Sequence, residues 1–121
     1  MASKSLRFYG YSRCSTCRKA LAWLDENKIP YENIDIVSNP PGKEIVRKAL
    51  KQFGERKYLF NTSGISYRQI GSAAVKCMSE DEAITALCND GKLIKRPFLL
   101  IPTGRVLLGF KQDIWTQELL D

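Results

Sequence analysis

The chain has 121 residues, a length typical of one domain with a core of its own. No apolar run approaches the ~20 residues of a membrane span and no apolar signal segment opens the sequence, so we expect a cytoplasmic protein without membrane contact. Nineteen Lys and Arg against thirteen Asp and Glu give a formal charge of +6, which favours anionic partners. The basic residues are scattered and accompany no nucleic-acid motif, so we expect an anion-binding site rather than direct nucleic-acid binding.

The first half of the chain predicts two strands that alternate with two helices. The apolar and aromatic stretch from Leu6 to Tyr11 is typical of a strand, and apolar residues at 17, 20, 21 and 24 then have helical spacing. Pro30 ends this helix, and a second strand is predicted over Tyr31 to Val37. The apolar face of the next helix runs from 45 to 53, before Gly54. Two strands joined in this way are parallel, with a right-handed crossover.

The second half predicts helices and then an antiparallel strand pair. One helix is predicted through Tyr67 and Ile70, and Ser79 with Glu82 has the spacing of a capping box that opens another, ending near Gly91. The closing elements are, in order, a strand over 94–101, a hairpin turn at 102–104, a strand over 105–109 and a helix with apolar residues Ile114, Trp115, Leu119 and Leu120.

This order of elements predicts an α/β fold with a thioredoxin- or glutaredoxin-like core. We expect a four-stranded mixed sheet flanked by helices on both faces. A helical insertion, over about 53–91, separates the β-α-β half from the β-β-α half. The sequence shows no repeat and no linker, so residues 1–121 are predicted to form one domain.

The motif Cys14-Ser15-Thr16-Cys17 lies where the first strand passes into its helix. Unpaired N–H groups and the positive end of the helix dipole favour a thiolate over a thiol at Cys14. Further positive charge comes from Arg13, Arg18 and Lys19. Because a thiolate is nucleophilic at neutral pH, the motif favours thiol chemistry. The combination of C-x-x-C with a neighbouring β-α-β pattern is typical of redox motifs.

Other interpretations of the cysteines remain open. C-x-x-C can be half of a zinc site, although the chain has no histidine and Cys77 and Cys88 lie eleven residues apart. It can also be a structural disulfide, although four cysteines in this setting favour reduced thiols. Cys17 can equally be a small residue on the core face of the helix. Cys77 and Cys88 are expected to pack as core or semi-exposed residues.

Three segments of the chain together resemble the arsenate reductase and Spx-like (ArsC family) branch of the thioredoxin fold. They lie in the same order as in that family and span nearly the whole chain. They are the opening Tyr9 to Ala20, the segment Phe60 to Gly64 with Tyr67-Arg68, and Ile94 to Pro97 with Gly104 to Val106 and Gly109 to Lys111.

The resemblance implies specific roles for five residues. Cys14 matches the reactive cysteine of the arsenate reductases, and Pro97 matches the cis-proline that lies opposite it. Arg96 and Arg105 match two of the three arginines that surround the oxyanion, a task for which the guanidinium fork is suited. Asn61 lies where those enzymes have the third arginine. Both arginines can also be ordinary exposed residues of strands.

The resemblance implies a thiol–disulfide oxidoreductase similar to the glutathione- and glutaredoxin-dependent arsenate reductases. Cys14 would attack a small oxyanion or a disulfide, and Cys17, which reductases of this type lack, would be the resolving thiol. Glutathione with glutaredoxin, or thioredoxin, would supply the electrons. We expect no bound cofactor, no metal and a monomer.

The second cysteine also resembles Spx-type regulators, which use C-x-x-C as a disulfide switch and bind RNA polymerase. In that alternative the basic helix from Lys43 to Gln52 and the turn Gly54-Glu55-Arg56 would contact the polymerase α subunit. The segments Asn61 to Gly64 and Gly109 to Lys111 are not typical of Spx. A third alternative is a relative that has kept the fold without the activity.

Overall fold

The computed structural model describes residues 6–120. The strands and helices are β1 (Leu6–Gly10), α1 (Ser15–Glu26), β2 (Tyr31–Asp35), α2 (Lys43–Phe53), α3 (Ile65–Ile70), α4 (Ser72–Cys77), α5 (Glu80–Asn89), β3 (Phe98–Leu100), β4 (Val106–Leu108) and α6 (Gln112–Leu119). Single 3-10 turns lie at Arg56–Tyr58 and Gly91–Leu93. No helix within the described range is both long and apolar enough to cross a membrane.

The sheet is four-stranded and mixed, as the sequence predicts, with the strand order β2-β1-β3-β4. β1 pairs in parallel with β2, and β3 is antiparallel to both β1 and β4. The outer edge of β4 is bonded to α2, because the Gln52 amide donates to the Val106 carbonyl and accepts from the Val106 N–H, both at 2.8 Å.

The sheet separates two apolar layers, because neighbouring side chains on a strand point to opposite faces. Phe8 and its partner Leu99 face the layer of α1 and α6, whereas Tyr9 and its partner Phe98 face the other layer. Helix residues of the first layer are Cys17, Ala20, Trp23, Leu24 and Trp115. Helix residues of the second are Val46, Ala49, Val75, Ala83, Ile84 and Leu87.

All four strands are shorter than the sequence predicts, and β2 and β3 differ by more than one residue at one end. β2 ends at Asp35 rather than Val37, because the Asp35 carboxylate accepts the Val37 N–H and the Ser38 hydroxyl and so forms a turn. β3 begins at Phe98 rather than Ile94, since Pro97 has no N–H to donate to a ladder.

The segment between the two halves of the sheet holds three helices, where the sequence predicts two. The unpredicted helix is α4, which follows α3 directly at Gly71, whose φ of +94° turns the chain between the two axes. The predicted capping box is present at the start of α5, where Ser79 and Glu82 bond to each other's backbone N–H. Arg56 joins this region to the segment after α2, since its guanidinium donates to the carbonyls of Val75 and Met78.

Candidate functional site

Cys14 is the N-cap of α1, at the carboxyl end of β1. Its backbone is extended and its N–H donates to the Tyr11 carbonyl at 3.0 Å, which closes the turn between strand and helix. Its sulfur accepts the backbone N–H of Cys17 at 3.3 Å, in the position that a Ser or Asp side chain takes at other helix starts. The partly buried sulfur therefore lies at the positive end of the helix.

This environment lowers the pKa of the Cys14 thiol. Burial alone would raise the pKa, but the hydrogen bonds from the Cys17 side chain and backbone stabilise the thiolate more strongly. The positive charge of Arg96, and a hydrogen bond from it, act in the same direction. Cys14 therefore has the electrostatic character of a nucleophile without any histidine base.

The second cysteine of the motif has the opposite character. Cys17 is buried, with 1% of its surface exposed. Burial and the neighbouring Cys14 sulfur raise the pKa of the Cys17 thiol to about 12. The pair thus combines a partly exposed sulfur whose ionisation is favoured with a buried thiol that stays protonated near neutral pH.

Arg96 and Pro97 directly precede β3, the neighbour of β1 on the side opposite β2, and Arg96 shares a pocket with Cys14. The Arg96–Pro97 peptide bond is cis, and Pro97 is buried. The Arg96 guanidinium lies over the Tyr11 ring, 5.2 Å from the ring centre to its Cζ, and donates to the Lys92 carbonyl at 3.4 Å. A cation held over an aromatic face next to Cys14 can stabilise both the thiolate and an anionic substrate.

Asn61 is positioned at the site by hydrogen bonds between the segment 59–61 and the segment 93–95. Its N–H donates to the Leu93 carbonyl at 2.7 Å, and the N–H of Lys95 donates to the Leu59 carbonyl at 2.8 Å. These bonds flank an isolated antiparallel bridge between Phe60 and Ile94. These contacts hold residues 59–61, which follow α2, next to Arg96.

A pocket of about 210 Å³ opens between these elements. It brings together three of the residues singled out in the sequence, Cys14, Asn61 and Arg96. Its other lining residues are Thr16, Lys57, Phe60, Thr62, Ser63 and Lys95. A thiol with a lowered pKa, three cations and several hydroxyl and amide groups therefore share one cavity, a combination that suits an anionic electrophile.

The model of the ArsC family matches residues 9–117, which include every element of this site. The chain belongs to the ArsC family. Two relatives of similar length are 43% identical to it. One is the uncharacterised protein YusI of Bacillus subtilis, over 111 residues that cover 90% of this chain and 93% of that one.

The other is a solved structure, that of a possible arsenate reductase from Streptococcus mutans. It superposes with a TM-score of 0.83 over 91% of this chain and 94% of its own, so the fold predicted from the sequence is confirmed. The global transcriptional regulator Spx of Listeria innocua is 24% identical over 106 residues, which cover 87% of this chain and 79% of the regulator. The ArsC family thus brings together relatives with different named activities.

Three of the expected site residues do not line the pocket: Cys17 and Pro97 are buried next to the lining residues Cys14 and Arg96, whereas Arg105 lies away from them. β3 leaves the site at Phe98, and Val106 pairs with Leu100 at the far end of β3. Arg105 directly precedes Val106, so it lies at the hairpin end of the sheet. There its guanidinium forms an exposed ion pair with Glu118 of α6 at 3.3 Å. Arg96 thus lines the pocket, whereas Arg105 does not.

Two lysines of the pocket were not identified from the sequence. Lys95 directly precedes Arg96, and Lys57 belongs to the 3-10 turn after α2. Both look like members of the scattered basic surface until the bridge between Phe60 and Ile94 places them beside Cys14. In the sequence, only the adjacency of Lys95 to Arg96 indicates that one of these lysines lies at the pocket.

Cys77 and Cys88 do not line the pocket; Cys88 is semi-exposed, as expected, whereas Cys77 is exposed rather than core or semi-exposed. All four cysteines are free thiols, with Cys77 exposed at the end of α4 and Cys88 partly buried in α5. Burial raises the pKa of Cys88. Among residues 6–120, no group of three or more His, Cys, Asp or Glu is placed to hold a metal ion.

Proposed function

We propose that this ArsC-family protein is a thiol–disulfide oxidoreductase in which Cys14 is the nucleophile and Cys17 the resolving thiol. The observation that carries the proposal is the contrast between two sulfurs one helical turn apart, one stabilised as a thiolate by hydrogen bonds and the other kept protonated by burial. The pKa of Cys14 is lowered, whereas the pKa of Cys17 is raised to about 12. A nucleophile must be ionised before it meets the substrate, and a resolving thiol must stay protonated until it is needed.

The reaction begins when the Cys14 thiolate attacks one sulfur of a substrate disulfide. The S–S bond breaks, the distal sulfur leaves as a thiolate, and a mixed disulfide forms on Cys14. Cys17 then attacks the Cys14 sulfur, and the substrate half that was bound to Cys14 leaves. This half takes the proton of Cys17 and is released as a thiol. The Cys14–Cys17 disulfide that remains takes two electrons from an external thiol donor.

An oxyanion such as arsenate would follow the same path. Cys14 would displace one oxygen as water and form a sulfur–arsenic bond. Attack by Cys17 on the Cys14 sulfur would then leave two electrons on arsenic and release arsenite. We propose that Arg96 and the amide of Asn61, which both line the pocket, hold such an anion. We propose glutathione with glutaredoxin, or thioredoxin, as the electron donor, with no bound cofactor.

A single-turnover experiment tests the assignment of the two cysteines. The reduced protein is mixed with bis(hydroxyethyl) disulfide, quenched with acid and analysed by mass spectrometry of its peptides. The wild type should form the Cys14–Cys17 disulfide, and Cys17→Ser should accumulate a mixed disulfide on Cys14. Cys77→Ser is the matched control and should behave as the wild type. A Cys14→Ser variant that turns over as fast as the wild type would refute the function.

The choice of substrate and donor needs a separate assay. Oxidation of NADPH is followed with arsenate or with a disulfide as substrate, coupled either to glutathione, glutaredoxin and glutathione reductase or to thioredoxin and its reductase. Turnover of arsenate that depends on Cys14 would support an arsenate reductase. Turnover of disulfides alone would restrict the function to disulfide chemistry.

The second candidate function is a redox-switched regulator like Spx, which the 24% identity with the Listeria protein favours together with the C-x-x-C motif. The basic helix α2 would then contact RNA polymerase. However, α2 packs on the Tyr9 side of the sheet, whereas Cys17 packs on the opposite side. Arg56 is already bonded to two carbonyls at the end of α4.

A pull-down with the C-terminal domain of the polymerase α subunit separates the two functions. A regulator of this kind should bind differently in the reduced and oxidised states, and Cys14→Ser should remove that difference. Absence of binding in both states would exclude the regulator function.

A further inference from the structure

A second pocket, of about 370 Å³, lies beside the pocket that contains Cys14. The two cavities share three lining residues, Thr16, Lys95 and Arg96. The second cavity continues from these residues along the end of β4, where the stem of Lys95 lies over the backbone of Gly109. Together the two pockets form one cleft, with Cys14 at one end and Phe110 and Lys111 at the other.

The cleft is positively charged throughout. Four cations line it, namely Lys57, Lys95, Arg96 and Lys111, and no Asp or Glu is among the lining residues of either pocket. Of these four, Lys57 alone forms a salt bridge within residues 6–120, an exposed one with Glu55 at 3.3 Å. A cleft with this field attracts an anion and repels a cation.

The end of the cleft remote from Cys14 is apolar as well as cationic. Phe53, Tyr58, Leu108 and Phe110 line it, and 48% of Tyr58 is exposed. Phe110 is held in place by edge-to-face contact with Trp115, with the ring centres 4.9 Å apart. A free tetrahedral oxyanion has no apolar part and would leave this end empty. Such walls suit an apolar or aromatic group.

We propose that the substrate of Cys14 is a small organic disulfide that carries both anionic groups and an apolar or aromatic group. This inference rests on the proposed function and specifies its substrate class. The disulfide lies at Cys14, the anionic groups contact Lys95, Arg96 and Lys111, and the apolar group packs against Tyr58 and Phe110. Attack by the Cys14 thiolate breaks the substrate S–S bond, forms the Cys14 mixed disulfide and releases one substrate thiolate.

Four disulfides that differ in charge and shape test the substrate class. Dithiobis(nitrobenzoate) is aromatic and anionic, dithiodipyridine is aromatic and neutral, dithiodiglycolate is aliphatic and anionic, and cystamine is aliphatic and cationic. The protein carries Cys77→Ser and Cys88→Ser, so that Cys14 is the only accessible thiol expected to react. Each second-order rate constant is divided by that of mercaptoethanol with the same disulfide, which removes differences in intrinsic reactivity.

The cleft predicts that the aromatic dianion has the highest normalised rate and cystamine the lowest. Lys111→Gln should slow both anionic disulfides by about twofold to fivefold, as expected for one exposed charge, and leave the neutral one unchanged. Tyr58→Ala should slow both aromatic disulfides and leave dithiodiglycolate unchanged. Lys48→Gln, an exposed lysine on α2 away from the cleft, is the matched control and should change none of the rates.

The outcomes separate the substrate class from the proposed function. Normalised rates that are equal for all four disulfides would overturn the substrate class, while the reactivity of Cys14 would still support the function. The same holds if Lys111→Gln and Tyr58→Ala act no differently from Lys48→Gln. A Cys14 that reacts with none of the four disulfides would overturn both.

Discussion

The Arg96 guanidinium lies over the Tyr11 ring, with its Cζ 5.2 Å from the ring centre, and the Tyr11 carbonyl accepts the Cys14 N–H at 3.0 Å. Tyr11 therefore contacts both Cys14 and the cation that helps to lower the pKa of Cys14. It does so from the last turn before α1, where strand and helix meet. We infer that Tyr11 is a positioning residue, which acts on Cys14 through Arg96.

Replacing Tyr11 tests this positioning role. Tyr11→Leu should raise the pKa of Cys14, because the guanidinium loses the aromatic face that holds it. The rate of Cys14 alkylation near pH 7 should then fall by about twofold to fivefold, as expected for one exposed cation–π contact. Tyr11→Phe keeps the ring and should behave as the wild type. Equal pH profiles for Tyr11→Leu and Tyr11→Phe would contradict the role.

Arg96 is expected to act on Cys14 through its charge. Arg96→Gln should raise the pKa of Cys14, so that alkylation at neutral pH slows while the rate at high pH, where every Cys14 is ionised, stays the same. Arg96→Lys keeps a charge but loses the flat fork, and should lie between Arg96→Gln and the wild type. The pH–rate profile with iodoacetamide measures both. An unchanged profile in Arg96→Gln would show that the helix start alone controls the thiol.

Arg105 is expected to be irrelevant to the chemistry. Arg105→Ala should leave the alkylation profile and the disulfide turnover of Cys14 unchanged. It should lower the free energy of unfolding by about 0–1 kcal/mol, since the ion pair with Glu118 is largely exposed. Urea denaturation and the turnover assay check both expectations. A turnover that drops in Arg105→Ala without a loss of stability would return this residue to the anion site.

Gln52 should matter for stability rather than for activity. Its amide makes two hydrogen bonds of 2.8 Å with Val106 at the edge of β4. Gln52→Ala should therefore lower the free energy of unfolding by about 1–3 kcal/mol, because two edge groups lose their partner. Gln117→Ala, at an exposed position of α6, is the control for loss of a glutamine. A Gln52→Ala variant as stable as Gln117→Ala in urea would contradict the account.

The parts of the site that follow from local sequence could be predicted. Alternating and helical apolar patterns place β1 and α1, and with them Cys14 at a helix start, without knowledge of the rest of the chain. The order of elements then gives the mixed sheet. Arg96 follows from the resemblance and from its place before Pro97, at the site end of β3.

The parts that depend on contacts between distant segments could not be predicted. Lys57 and Lys95 reach the cleft through the bridge between Phe60 and Ile94, which no local pattern announces. Arg105 was misplaced because the two strands of a hairpin run in opposite directions. Arg105 follows the hairpin turn and therefore lies at one end of the sheet. Phe98, which begins β3 next to Pro97, lies at the other end.

The ionisation of Cys14 in the folded protein tests the central claim most directly. The rate of alkylation of Cys14 by iodoacetamide is measured against pH in the Cys77→Ser/Cys88→Ser protein, with the modified peptide identified by mass spectrometry. Because the pKa of Cys14 is lowered and that of Cys17 is about 12, the rate should be half-maximal at a pH below the pKa of ~8.5 of a free cysteine, while Cys17 stays unmodified. A Cys14 that becomes reactive only at or above that value, or a Cys17 that reacts first, would contradict the account.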